Sequence, residues 1–259
     1  MEVLGLDIGG TGIKGAPVDT VSGEMLAPRL RLPTPKPATP QAVGETVAEI
    51  AAHFAWKGSI GCGFPAVVQR GRTLSAANVS KKWIDCPAQA VLREATGCPV
   101  SLANDADVAG LAEMRFGAGR DQQGTVLVVT LGTGIGTALF VNGRLVPNTE
   151  FGHLELDGVE AEKWAAAIVR EKEDLSWKKW VARVDAVLVH MHALMWPDLI
   201  IIGGGVSKKH DKFLSALTVK TQVVPAEMRN QAGIIGAALW AGEEQVEGED
   251  QQKDRRKPA

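Results

Sequence analysis

Val126-Leu127-Val128-Val129-Thr130-Leu131-Gly132-Thr133-Gly134-Ile135-Gly136-Thr137-Ala138-Leu139-Phe140 is the stretch whose reading decides the fold. Its β-branched opening predicts a buried strand. The glycines spaced two apart predict a turn whose backbone N–H groups lie bare enough to hold a phosphate. The chain then reverses: 137–141 reads as a second strand, and Asn142-Gly143 as a two-residue hairpin turn before Arg144-Leu145-Val146. The same plan occurs at the N-terminus, where Val3-Leu4-Gly5-Leu6-Asp7 leads into Ile8-Gly9-Gly10-Thr11-Gly12-Ile13-Lys14, with a further turn near Ser22-Gly23. Gly-Thr-Gly-Ile stands in both places. Either copy alone is equally readable as a plain structural turn. Two copies read as one strand–loop–strand unit used twice, the copies facing each other across a phosphate chain.

A chain of 259 residues is long enough for one large or two modest domains, and 45% hydrophobic with 22% charged residues is a soluble globular composition. A formal net charge of -2 offers no global attraction to nucleic acid or to a membrane surface, so any polyanion must meet a local patch. Cys62, Cys86 and Cys98 fit neither metal-ligand nor paired-disulfide spacing, which points to buried thiols in a reducing compartment. A strand beginning at Val3 leaves no signal peptide, and no apolar run approaches spanning length. The expected location is cytoplasmic.

Five prolines between Pro28 and Pro40 predict an extended crossing. Thr39-Pro40 then caps and starts a helix reaching Trp56, with Val43, Val47, Ile50, Ala51 and Phe54 on its apolar face. A strand at 59–63 ends in Phe64-Pro65, a helix follows from about Pro87 to Ala95, and Val100–Ala103 reads as a strand delivering Asn104-Asp105-Ala106-Asp107 to a helix ending near Phe116. Asp107 reads as the helix cap, whereas Asn104 and Asp105 sit one step earlier, where a side chain can point into a cleft. Helices are predicted from about Val159 to Arg170 and from Ser176 to Trp196. The stripe Trp180, Val184, Val187, Leu188, Met191, Leu194, Met195 on the second is core spacing. Asp198–Ser207 is a third strand-to-glycine junction, apolar enough to be central and parallel. A strand near 219–224, a helix over 232–241 and a disordered, charged tail over 243–259 complete the chain.

Asp7-Ile8-Gly9-Gly10-Thr11 with Lys14, Asn104-Asp105, Leu131-Gly132-Thr133-Gly134-Ile135-Gly136, Glu150-Phe151-Gly152-His153 and Gly203-Gly204-Gly205-Val206-Ser207 together resemble the ROK family of bacterial sugar kinases, in order from about Val3 to Ala241. The wording of 77–84, 104–115 and 147–155 is similar to the zinc-free, polyphosphate-using branch of that family. Many members carry a Cys-rich zinc loop after the histidine. This chain has no cysteine beyond Cys98, so His153 lacks thiolate partners. The resemblance implies an α/β, actin-like (ribonuclease H-like) ATPase fold with two lobes and a central cleft. Residues 1–103 with a C-terminal helix at about 230–242 would form the small lobe, and 104–229 the large one.

It further implies transfer of a terminal phosphoryl group from inorganic polyphosphate or ATP to the 6-hydroxyl of glucose, by a cytoplasmic homodimer using Mg²⁺ and no zinc, with no nucleic acid or membrane partner. Asp105 is then the proton acceptor, although a plain helix cap is its bland alternative. Asn78, Asn104, Asp105, Glu150, His153 and Glu162 match sugar contacts, with Trp83 as a pocket wall. Gly9, Gly10, Thr11, Lys14, Gly132, Thr133 and Gly134 match phosphate contacts. Gly204 and Gly205 lie where a nucleotide would rest, and Asp7 is the Mg²⁺ residue. Lys208, Lys209 and Lys212, just past the third glycine junction, are expected to form part of a track for a long polyphosphate or else a merely solvated helix start. The same motifs fit a strictly ATP-dependent glucokinase or mannokinase, or a sugar sensor that has kept the fold. A dinucleotide-binding oxidoreductase is excluded, because the first glycine loop leads into a hairpin and not a helix.

Overall fold

The computed structural model describes residues 1–76 and 79–255, with side chains followed to 245. The chain divides into two compact units, Met1–Ala112 with the segment from Ala232 onward, and Glu113–Gln231. The division falls inside a helix, between Ala112 and Glu113.

The first unit is a five-stranded sheet. β1 (Glu2–Ile8) and β2 (Ile13–Asp19) pair antiparallel, and β3 (Leu30–Leu32) pairs with β2 inside the proline-rich crossing. Helix α1 (Pro40–His53) follows, capped by Thr39, whose side chain accepts from the Ala42 N–H. It stops short of Trp56 because Ala55 takes a left-handed φ of 48°. β4 (Ile60–Phe64), a small ribbon of β5 (Val68–Gln69) and β6 (Arg72–Thr73), α2 (Ala88–Thr96) and β7 (Val100–Asn104) lead to α3 (Asp105–Phe116). The sheet order is β3-β2-β1-β4-β7, with β1, β4 and β7 parallel.

Strand periodicity assigns β1 two faces. Leu4, Leu6 and Ile8 share a core with Val43, Val47 and Ile50 of α1, and Trp83 lies fully buried in that core. Trp83 donates its ring N–H to the Ala38 carbonyl at 2.9 Å, so it is a packing residue and not a pocket wall. On the opposite face the C-terminal helix (Ala232–Arg255) lies so close that a methyl group on Gly5 would run into the Ile234 carbonyl, and one on Gly61 into that of Ala237. This helix runs on to Arg255 where charged composition pointed to disorder from 243; residues 256–259 of that expected tail lie outside the described residues.

The second unit repeats the plan. β8 (Thr125–Leu131) and β9 (Ile135–Val141) form an antiparallel hairpin, and β10 (Arg144–Val146) joins through Asn142-Gly143, whose φ values of 50° and 75° are those of a primed turn. β11 (Glu155–Leu156) and β12 (Val159–Glu160) form a ribbon before two short helices, α4 (Ala161–Ala165) and α5 (Ala167–Lys172), broken at the extended Ala166. This replaces the single helix expected from Val159 to Arg170. Helix α6 (Trp177–Met195) buries Trp180, Val184, Val187, Leu188 and Met191 as its spacing requires, but leaves Leu194 exposed. β13 (Leu199–Gly203), wholly buried, is parallel to β8 on one side and to β14 (Gln222–Pro225) on the other, giving the order β10-β9-β8-β13-β14. The buried Glu113 carboxylate accepts backbone N–H groups of Ala118, Glu227 and Met228 at 3.1, 3.0 and 2.7 Å, closing this unit's two ends together. No helix among the described residues is long and apolar enough to cross a membrane.

The close backbone approach makes a direct stability prediction. Gly61→Ala lowers stability by about 1–3 kcal/mol, read as a reduced urea midpoint with unchanged slope. Gly58→Ala, whose methyl meets only Trp56 at an ordinary 3.4 Å, leaves the midpoint within about 0.5 kcal/mol.

Candidate active site

In the first unit, the parallel register of β1, β4 and β7 brings three loop starts to one sheet edge: the Gly9 turn, Phe64-Pro65 and Asn104-Asp105. Open α/β sheets bind ligands at such edges. The first turn is drawn tight by the Gly9 N–H donating to the Gly12 carbonyl at 3.1 Å, and Thr34 holds the Gly9 carbonyl through its hydroxyl. Gly10 and Thr11 stand exposed at its tip. Arg31 donates to the Thr11 carbonyl at 3.1 Å, so a guanidinium backs the loop. Lys14 and Asp7 pair at 2.8 Å behind it, both half-buried. Arg31 was not singled out from sequence, since an arginine in a proline-rich crossing carries no spacing signal.

Asn104, not Asp107, caps α3. Its side-chain oxygen accepts from the N–H groups of Ala106 at 2.8 Å and Asp107 at 3.2 Å, while its amide donates to the Ala66 carbonyl at 3.2 Å. Asp107 is only 1% exposed. With the cap assigned to Asn104, Asp105 is the first residue of α3, half-buried at the sheet edge. Asn78 lies outside the described residues.

In the second unit, the Gly132 N–H donates to the Gly134 carbonyl at 3.0 Å, and the Gly132 carbonyl accepts from Ile168 N–H at 3.0 Å, tying the turn to α5. The Glu150–His153 segment is fixed against β9 by Thr137, which donates its hydroxyl to the Thr149 carbonyl and accepts from Phe151 N–H at 3.1 Å. Gly152 packs so tightly that a methyl there would strike the Ile135 carbonyl. Around the His153 ring stand Glu160 at 3.4 Å and Glu150 and Glu162, each at 4.0 Å. Glu162 also abuts Gly134, where an added methyl would meet its carboxylate at 2.6 Å. Thus His153, Glu150, Glu162 and the Gly132–Gly134 turn form one cluster. Burial raises the Glu150 pKa, His153 opposes that rise and Glu162 adds to it. A hydrogen bond from Lys163, 3.0 Å away, holds Glu160 below the usual carboxylate range. Glu160 was missed because it sits in the ribbon that sequence periodicity assigned to a helix. His153, Glu160 and Glu162 bring ligand atoms within 4.8 Å of one another, and Lys163 already supplies positive charge there.

The third glycine junction stands beside the second turn. β13 pairs Gly203 with Thr130, and Gly204, at φ 81°, lies where a side chain would collide with the Leu131 carbonyl. Ser207 donates its hydroxyl to the Gly204 carbonyl at 2.8 Å. A cavity of about 300 Å³ opens here, walled by Leu131, Gly132, Thr133, Ile168, Trp177 and Gly205.

A model of the ROK family matches residues 3–171. The chain belongs to the ROK family. Over 237 residues it is 50% identical to a polyphosphate glucokinase of Mycobacterium tuberculosis, covering 91% of this chain and 89% of that one. The crystal structure of an inorganic polyphosphate/ATP-glucomannokinase from Arthrobacter sp. strain KM superposes with a TM-score of 0.90 at 47% identity, covering 94% of this chain and 99% of the other. A ROK family glucokinase from Streptomyces griseus, solved with glucose and AMPPNP, has the same fold at 24% identity and a TM-score of 0.82, covering 94% and 100%. This ROK chain therefore has the α/β, actin-like ATPase fold.

The raised Glu150 pKa sets a pH test with a definite sign. A carboxylate whose folded pKa lies above its unfolded value favours folding below the ordinary carboxylate range, and that contribution is lost as pH rises through the folded value. Glu150→Gln removes the charged form's desolvation cost. The variant's melting temperature, relative to the parent chain, is therefore higher at pH 7 than at about pH 4. A difference of opposite sign contradicts the assignment.

Proposed function

We propose that this chain is a phosphotransferase that moves the terminal phosphoryl group of inorganic polyphosphate, and of ATP, to the 6-hydroxyl of glucose. The reading is carried by the 50% identity to a polyphosphate glucokinase across 91% of the chain. Asp105, at the start of α3, accepts the hydrogen bond of the attacking hydroxyl and takes its proton. Phosphoryl transfer passes through a loose transition state, so orientation and charge stabilisation dominate. The exposed turns at Gly9-Gly10-Thr11 and Gly132-Thr133-Gly134 supply backbone N–H groups to phosphate oxygens, with Lys14 adding positive charge. Asn104, Glu150, His153 and Glu162 recognise sugar hydroxyls. Three of these four, Glu150, His153 and Glu162, stand close together in one cluster.

The half-buried Asp7 carboxylate suits a hard cation that prefers oxygen ligands, and we assign Mg²⁺ to it. When bound, that ion would spread the charge of the transferred phosphoryl group. All three cysteines are buried free thiols of the first unit and His153 belongs to the second, which supports work without a thiolate-held zinc. We extend the proposal to a cytoplasmic homodimer.

One observation favours a second reading, a strictly ATP-dependent glucokinase. The cavity beside Gly132 and Gly205 has the apolar wall of Leu131, Ile168 and Val206 that a base and ribose would need. A coupled glucose 6-phosphate assay with each donor separates the two: turnover with polyphosphate and with ATP is expected, turnover with ATP alone supports the second reading, and turnover with neither overturns both. Asp105→Asn is expected to lower kcat by about 10²–10⁴ with glucose binding intact, and full activity in that variant removes Asp105 from the mechanism.

A further inference from the structure

Trp177 carries more positive charge around its ring than an ordinary packing indole. The Arg170 guanidinium lies 4.2 Å from the ring centroid, and Lys212 Nζ lies 5.8 Å from it. Phe213 stacks parallel to the same indole at 6.2 Å, and Trp180 meets it edge-on at 5.6 Å, so the ring itself is fixed. Arg170 is steadied by a long contact from its guanidinium to the Leu175 carbonyl at 3.5 Å. Arg170 and Trp177 both line the 300 Å³ cavity that begins at the Gly132-Thr133 turn. Lys209 lines it too, at the point where the backbone of its short helical segment kinks. Against these cations the lining holds one carboxylate, Glu171.

We infer that Arg170 is a donor-selecting residue: it receives the distal phosphates of a polyphosphate whose terminal group sits at the Gly132-Thr133 turn, and by covering the indole it disfavours a nucleoside base in the same cavity. The inference rests on the proposed kinase reading and names the residues of that site that distinguish its two donors. A planar guanidinium can fork onto two phosphate oxygens, which a run of linked phosphates offers in every repeat. A base needs an uncovered aromatic face, and Arg170 occupies one on Trp177. A polyanion entering the cavity meets two cationic side chains in its lining, Arg170 and Lys209. Neither Lys208 nor Lys212 lines the cavity, so of the cationic track expected from Lys208, Lys209 and Lys212 the lining keeps Lys209, joined by Arg170, while Lys212 stands by the Trp177 ring.

The test measures kcat/KM for inorganic polyphosphate and for ATP, in the full chain, for the parent and Arg170→Met, which keeps an unbranched stem over the indole and removes the charge. The ratio of polyphosphate to ATP efficiency is expected to fall about tenfold, and the polyphosphate KM to rise less steeply with salt than in the parent. Arg170→Lys, which retains charge without the fork, is expected to give a smaller fall in the ratio and remains informative if the methionine variant fails to fold. An unchanged ratio, or equal losses with both donors, overturns the inference while leaving the kinase reading intact. Absence of glucose 6-phosphate from the parent with either donor defeats the kinase reading instead.

Discussion

Each of the two central hairpins has to reverse its backbone within a very few residues while leaving the N–H groups at the tip uncovered. Ile8 pairs with Ile13 and Leu131 with Ile135, so four residues close the first turn and three the second. Both closures use a backbone bond across the tip, Gly9 to Gly12 and Gly132 to Gly134. On the phosphate-binding role proposed for these turns, a side chain there would lie in the path of the incoming anion, which gives glycine its use. The strands that each turn joins then set the rest. In each unit the first strand of the hairpin is also the parallel partner of the next, so every later loop of functional interest leaves from the same sheet edge as the turn.

The first unit adds a second use of glycine. Gly5 and Gly61 let β1 and β4 accept the C-terminal helix at backbone distance, and Gly236 on that helix lies equally close to the Val108 carbonyl of α3. Helix and strands therefore meet without intervening side chains, a contact with little room to repack. Asp7 and Asp105 are both held against this rigid layer: Gly233 lies beside the Asp7 side chain, and the Asp105 backbone sits against Gly63. The catalytic role proposed for Asp105 would benefit from such a support, because small displacements weaken a carboxylate's alignment with a reacting hydroxyl.

Much of this was legible in sequence because it rests on local pattern. The glycine repeat, the Asn142-Gly143 turn, the apolar stripe of α6 and the wholly apolar β13 each correspond to the element that their spacing describes. Long-range contacts left no such pattern. The cap of α3 fell to Asn104 because its side chain reaches both the helix start and Ala66, a partner 38 residues away. Trp83 reads as a pocket wall from sequence, because the neighbours that bury it, Phe64 and the Ala38 carbonyl, are distant in the chain. The break between α4 and α5 arises at Ala166, whose extended backbone no propensity signals, and Glu162, on the short helix before it, abuts Gly134. Arg170, placed over Trp177 by the same two short helices, was invisible for the same reason.

The claim on which the account depends is that the bare backbone of these turns holds the phosphate donor. Gly132 tests it cleanly, since an added methyl meets nothing within 4 Å and leaves the fold undisturbed. Titration of tripolyphosphate by calorimetry into the parent and into Gly132→Ala is the direct measurement. An affinity reduced about tenfold, with an unchanged melting temperature, is the predicted result. Equal affinity in the two proteins would mean that no phosphate approaches this turn.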